Sequence, residues 1–283
     1  MGTQPTPHGY HNWLDPERPS EAPREVLEWE PMAPSSGDRS TATTSRSRTT
    51  TAKTTIASSR QMRPPRTSGP VLTPRDLDVL RWVGRHGIVT REHVANRFFG
   101  RDSASTGIWA AYRRVRILVN LGLLQQDHCL WREPAVLRLT SHGARIAQLD
   151  VRPARLVLPE VRHALAVVDL VERLLAQLPD DTLLITEREM RVARRRDLRL
   201  DPTTIGTGRM PDAELRRDGQ RVAIELDLTP KRSAVYEDIL NSYMRQRYDA
   251  VWWYVSPRVV DRLKRIVVSN QANDFVSIEA WEG

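Results

Sequence analysis

Regularly spaced apolar residues begin at Leu72 and run almost to the C-terminus, whereas positions 1–70 show no such spacing. Thr73-Pro74 opens the first helix, because threonine accepts a first-turn N–H and the fixed φ of proline suits the first helical position. Leu77, Leu80, Trp82 and Val83 then recur at helical spacing until Gly87 ends the helix. A second helix is capped by Thr90 and carries Val94, Phe98 and Phe99 on one side. After a turn around Gly100 to Ser105 comes a third, with Ile108, Trp109, Tyr112, Val115, Leu118 and Val119 as its apolar set and Gly122 closing it. Leu123–Gln126 and Val136–Leu139 read as short strands joined by a polar loop, and Thr140 caps a helix over Ser141–Leu149. Three short helices followed by a two-stranded hairpin is the order of a winged helix-turn-helix.

The pattern changes from Val161. Val161–Leu178 reads as one amphipathic helix with Leu165, Val168, Val171, Leu174 and Leu175 as its buried stripe, and Thr182–Thr186 as a strand. The arginine-rich stretch Arg191–Arg199 reads as a loop or an exposed strand. Arg209–Leu215 and Arg221–Leu228 are extended runs separated by Arg217-Asp218-Gly219-Gln220, and Asp-Gly between two such runs is a strong hairpin signal. Residues 232–247 form a helix with Val235, Ile239, Leu240 and Tyr243 on one face. A buried strand at Val251–Val255, a helix at about 257–269 and a strand at Phe275–Ala280 complete the chain. The resulting core order, αβββαβ, is that of the restriction-endonuclease-like fold. The expected class is therefore α+β or α/β in three parts: a disordered tail (1–70), a winged helix-turn-helix domain (71–150) and an α/β domain (151–283).

Charge sharpens the division. Positions 1–38 carry two arginines and seven acids, while positions 39–75 carry eight basic residues and no acid. With so much Pro, Ser and Thr this tail cannot bury enough surface to offset the entropy of ordering. Its isolated Trp13, Leu14, Leu27 and Trp29 are a candidate partner-binding motif. A basic block beside a folded domain suits a polyanion partner, although a solubilising tail has the same composition. A single cysteine, Cys129, rules out an internal disulfide and a cysteine-rich zinc site, and His8 with His11 is the only close histidine pair. No apolar run reaches the roughly 20 residues of a membrane span, and no signal-peptide core is present, so a cytoplasmic protein without membrane contact is expected.

Two groups carry candidate chemistry. On the third helix Arg113, Arg114 and Arg116 are placed to reach double-stranded DNA, with Arg132 and the loop around His128 as the wing. The alternative is a solvated arginine face on a protein-docking module. In the second half, Glu225 and Asp227 stand two apart on one strand and so share a face, and Asp212 lies across the hairpin. Converging carboxylates suit Mg²⁺ or Mn²⁺, which would polarise a phosphate and activate water, with Lys231 assisting. The usual nuclease motif continues Glu/Asp-x-Lys, but here Asp227 fills the lysine position and Lys231 follows six residues after the glutamate. Only Lys53, Lys231 and Lys264 occur among 43 basic residues, which makes a lysine there unlikely to arise by chance. A vestigial carboxylate cluster and a solvated strand edge are the alternatives. Glu172 or Glu187 would supply a further ligand, and His163 reads as a capping or packing residue.

The ordered set Leu72-Thr-Pro-Arg-Asp-Leu-Asp-Val-Leu80, Tyr112-Arg-Arg-Val-Arg116 with Leu121-Gly-Leu-Leu124, Leu139-Thr-Ser-His-Gly143, Arg162-His-Ala-Leu-Ala-Val-Val-Asp169, Glu187-Arg-Glu189 and Arg209-Met-Pro-Asp212 with Glu225-Leu-Asp-Leu-Thr-Pro-Lys231 resembles the replication-relaxation family of actinobacterial and related plasmids, phages and integrative elements. The resemblance implies a role in replication or relaxation of mobile-element DNA. Three activities compete. One is a Mg²⁺-dependent DNA nuclease. Another is a non-enzymatic replication or transcription regulator that uses an inactive nuclease-like domain to form a homodimer. The third is an accessory protein docking a relaxase or replication initiator through the tail.

Overall fold

The computed structural model describes residues 71–100, 106–129, 131–200 and 208–282. The expectations placed on the tail, including Trp13, Leu14, Leu27, Trp29, His8, His11 and the basic block before residue 71, lie outside the described residues.

Helix α1 (Pro74–His86) begins with a reciprocal cap: the Thr73 hydroxyl accepts the Asp76 N–H, and the Asp76 carboxylate accepts the Thr73 N–H at 2.5 Å. Gly87 ends it at φ 87°, a conformation that favours glycine. Strand β1 (Val89–Thr90), not anticipated from the pattern, leads to α2 (Arg91–Phe98), whose Thr90 and His93 cap each other likewise. Helix α3 (Thr106–Asn120), strands β2 (Leu124–Asp127) and β3 (Val136–Leu139) and helix α4 (Ser141–Ile146) follow, the last shorter than expected. The strands form an antiparallel sheet in the order β1-β3-β2. Val79, Leu80, Val83, Val94, Val115, Leu118 and Leu137 fill the core beneath it. Two residues of α3 depart from expectation. The buried stripe is Ala111, Val115 and Leu118, so Trp109 stands on the opposite side, 65% exposed, and Ile108 extends past the core.

The second half contains α5 (Leu158–Leu175), β4 (Leu183–Thr186), α6 (Glu187–Leu200), β5 (Ala213–Arg217), β6 (Gln220–Asp227), α7 (Ser233–Arg245), β7 (Ala250–Val255), α8 (Pro257–Ser269) and β8 (Val276–Ala280). The five strands make one sheet in sequence order: β4, β5 and β6 pair antiparallel, and β6, β7 and β8 parallel. Asp218 (φ 52°) and Gly219 (φ 77°) form the two-residue turn between β5 and β6, as the Asp-Gly pair predicts. Leu170, Val171 and Leu174 of α5 pack on one face of the sheet against Leu215, Ile224, Leu226, Trp252 and Tyr254. Tyr236, Ile239, Tyr243, Val259 and Leu263 of α7 and α8 cover the other, against Ala223, Val251, Trp253 and Val255. Val235, expected on the buried face of α7, is 38% exposed, and its neighbour Tyr236 is buried instead.

The stretch 191–199 is helical, contrary to the expected loop or exposed strand. The Thr186 hydroxyl accepts the Glu189 N–H at 3.3 Å while the Glu189 carboxylate takes the Thr186 N–H at 2.8 Å, and Glu187 pairs with Arg191 one turn on. Polar capping and charge pairing hold a helix whose apolar stripe is thin. The order is thus α, β, α, β, β, α, β, α, β, with α6 inserted between the first two strands of the sheet.

Helix α5 belongs to both halves. Val161 packs with Ile88, Val136 and Ala154, Val168 joins the core under the small sheet, and the C-terminal turns join the large one. Polar contacts cross at the same place: Trp82 Nε1–H donates to Glu172 (3.0 Å), Arg188 Nε–H to the Gly84 carbonyl (3.0 Å) and the Thr186 hydroxyl to the Arg85 carbonyl (3.0 Å). From Leu72 onward the chain forms one compact unit. Among the described residues no helix is long and apolar enough to cross a membrane.

Candidate functional site

The strand β6 alternates as its sequence implies. Val222, Ile224 and Leu226 face α5, and Glu225 and Asp227 share the other face, 1% and 3% exposed, under α7. Asp212 enters β5 just behind Pro211. Beyond the last β5–β6 rung, at Ala213–Ile224, its carboxylate accepts the Leu226 N–H at 2.8 Å in place of a ladder carbonyl. The three predicted acids therefore gather at one end of the β5–β6 hairpin.

Each acid is matched to protein donors. Asp212 Oδ1 meets His163 Nε2 at 3.0 Å, and its Oδ2 holds the Leu226 amide. Glu225 accepts the Tyr243 hydroxyl through Oε1 and faces Arg209 Nη2 at 3.5 Å through Oε2. Asp227 takes the Lys231 ammonium on Oδ1 and Trp253 Nε1–H at 2.9 Å on Oδ2. All six carboxylate oxygens face a protein donor or cation. Among the described residues no three His, Cys, Asp or Glu side chains are disposed to hold a metal ion. The residues do not fit the expected Mg²⁺ or Mn²⁺ as arranged. Lys231, expected to assist hydrolysis, pairs with Asp227, and His163, read as a capping or packing residue, meets Asp212.

Burial, and next the negative charge of Asp212, push the Glu225 carboxyl up to about 8; Arg209, Tyr243 and Lys231 act in the opposite sense. The hydrogen bond to Asp212 raises the His163 imidazole above its ordinary value, against the effect of burial. Burial likewise pushes the Tyr243 phenol up.

Apart from Tyr243 and Trp253, these side chains line a cleft of about 770 Å³ beside the first turns of α5, together with Glu187, Arg191 and Thr229. Glu187, considered as a further ligand, accepts Arg191; Glu172, the other, accepts Trp82 and lies 3.3 Å from Arg97. Arg209 stands next to the Met-Pro-Asp run already noted, but its partner Glu225 is 16 residues away, and nothing local in the sequence announces the pair.

On α3 the expected arginines divide. Arg113 and Arg116 are exposed and share a stripe with Trp109 and Asn120, at spacings of four, three and four residues. Arg114 turns inward and clasps Asp76 with Nε (2.5 Å) and Nη2. This corrects its assignment to a DNA-facing surface: it ties α3 to the first turn of α1. Arg132 is exposed in the β2–β3 connection at φ 62°, beside the 86%-exposed Trp131. His128 Nε2 lies 3.0 Å from the Gln126 amide.

The chain matches no protein-family model, no curated protein and no solved structure.

Proposed function

We propose that this chain is a non-enzymatic DNA-binding protein, in which a winged helix-turn-helix presents α3 to double-stranded DNA and a nuclease-like α/β half carries a self-neutralised carboxylate cluster. The observation that carries the binding part is the exposed stripe Trp109, Arg113, Arg116 and Asn120 on the second helix of the α2–α3 pair. Arginine and asparagine are the side chains that read guanine and adenine edges in a major groove. Arg132 and Trp131 at the tip of the β2–β3 connection occupy the place of a wing. The αβββαβ order, once α6 is set aside, supports the nuclease-like assignment of the second half, and the engagement of all six carboxylate oxygens supports its being inactive. The resemblance to the replication-relaxation family points to mobile-element DNA and to a regulatory task in its replication.

Fluorescence anisotropy on duplex DNA across a salt series tests the binding part. Wild type binds with a steep salt dependence, and Arg113→Ala/Arg116→Ala weakens it by about tenfold or more, at roughly 1–3 kcal/mol for each base-contacting arginine. Binding indifferent to both salt and these arginines would remove the proposal. Incubating the proteins with supercoiled plasmid in Mg²⁺ or Mn²⁺ tests the rest: no conversion is expected. Nicking by wild type that disappears in both Asp212→Ala and Glu225→Ala would replace the regulator with a nuclease.

A further inference from the structure

Helix α6 stands outside the αβββαβ order and carries Arg188, Arg191, Arg194, Arg195 and Arg196 within three turns. One of its faces, through Arg191, Arg194 and Arg195, forms with Arg209 and Met210 a hollow of about 560 Å³ that adjoins the carboxylate cleft. Two acids share this lining with the four arginines: Asp212, which is held by His163 and the Leu226 amide, and Glu187; Arg209 also faces Glu225 at 3.5 Å. Glu187 is shared with Arg191, and Glu189 is turned toward Arg85 and Thr186. Arg194 donates to the Gly208 carbonyl, a neutral acceptor, at 2.9 Å. Arg195 has no ion-pair partner among the described residues. The crowding is felt within the helix: burial, and then the positive charges of Arg191 and Arg195, hold the Arg188 guanidinium below its ordinary range.

We propose that α6 is a second nucleic-acid contact, in which Arg191, Arg194, Arg195 and Arg209 hold the sugar-phosphate backbone of duplex DNA at the mouth of the cleft. The inference rests on the DNA-binding reading above and adds to it a surface that reads no bases. Guanidinium forks match phosphate oxygens in pairs, and successive cations on one helix face suit a repeating anion. Among the described residues the lining holds no aromatic side chain, which disfavours a single strand, whose bases need stacking platforms. Its few apolar groups, Leu198 and Met210, offer no anchor for a peptide side chain.

The test compares four double variants on duplexes of unrelated sequence over a salt series. Arg191→Ala/Arg195→Ala is expected to lower the slope of log affinity against log salt by about two, near 0.9 per lost phosphate contact, equally on every sequence. Arg258→Ala/Arg265→Ala removes the same charge from exposed positions of α8 and is expected to leave the slope unchanged. Arg191→Lys/Arg195→Lys retains the charge and should retain most of the slope, which guards against a folding artefact in the alanine pair. If the α6 alanine pair behaves like the α8 pair while Arg113→Ala/Arg116→Ala still weakens binding, the α6 contact is refuted and the α3 reading survives. If wild type binds no duplex, both fall together. Displacement by poly-glutamate or by single-stranded DNA, but not by duplex, would assign the surface to another ligand and overturn the proposal.

Discussion

Asp76, in the first turn of α1, and Glu225, on the middle strand of the large sheet, are each about 1% exposed, yet their carboxyl groups are driven in opposite directions. For both, burial is the largest influence and favours the neutral acid. Asp76 overcomes it. Two Arg114 nitrogens, the Thr73 hydroxyl and the Thr73 amide converge on it, and its pKa falls below the ordinary carboxylate value. Glu225 has one tyrosine hydroxyl and a guanidinium at 3.5 Å, with the Asp212 charge nearby, and it rises to about 8. Depth alone therefore does not decide whether a buried acid is charged. The number of donors and the sign of the nearest charge decide it.

Breaking the first site should have the larger effect. Asp76→Ala removes the α1 cap and strands Arg114 beside the core, and is expected to cost about 3–5 kcal/mol in urea unfolding. Because the Asp76 pKa is depressed on folding, its contribution is present above the ordinary value of 3.8 and is lost as pH falls through the folded value. A loss below about 1 kcal/mol would mean the Arg114 clasp is idle. Glu225→Gln probes the second site with the opposite sign. A raised folded pKa gives stability that is complete below 4.5 and declines as pH rises toward about 8. The glutamine variant should therefore gain on wild type between pH 5 and pH 8, by an amount on the order of 2–4 kcal/mol. A difference that stays flat across that window would show Glu225 ionised throughout. The smallest expected change comes from Tyr243→Phe, which removes one donor from Glu225 and should cost about 1 kcal/mol in wild type but less beside Glu225→Gln. Equal costs in the two backgrounds would deny that the phenol and the carboxyl act together.

Features written locally were legible in the sequence. Thr73, Thr90 and Thr140 each cap the helix they announce, Asp218-Gly219 makes its turn, and the alternation along β6 correctly puts Glu225 and Asp227 on one face. Alternation does not reveal what covers that face. The answer, Tyr243 and Trp253, arrives from 18 and 26 residues away. His163 reaches Asp212 across 49 residues, so a pair that sets the charge of the cleft left no local trace. Helix α6 was misread for another reason. Its Thr186-x-x-Glu189 box is a helix-start signature, but a run dominated by arginine lacks the apolar periodicity that marks a helix, and so reads as a loop or an exposed strand. Arg114 shows the finest limit: it lies between two solvent-facing arginines, and one helical step separates an interior tie from a surface cation.

Because α5 contributes side chains to the hydrophobic interior of both halves, neither half has a complete core of its own. The natural units of this molecule are therefore not interchangeable modules joined by a tether. They are two faces of one cooperative melting unit. If α3 binds duplex DNA as proposed, the free energy of that contact is expected to be shared with the distant sheet, and the bound duplex to slow the solvent exchange of β6 amides that it never touches.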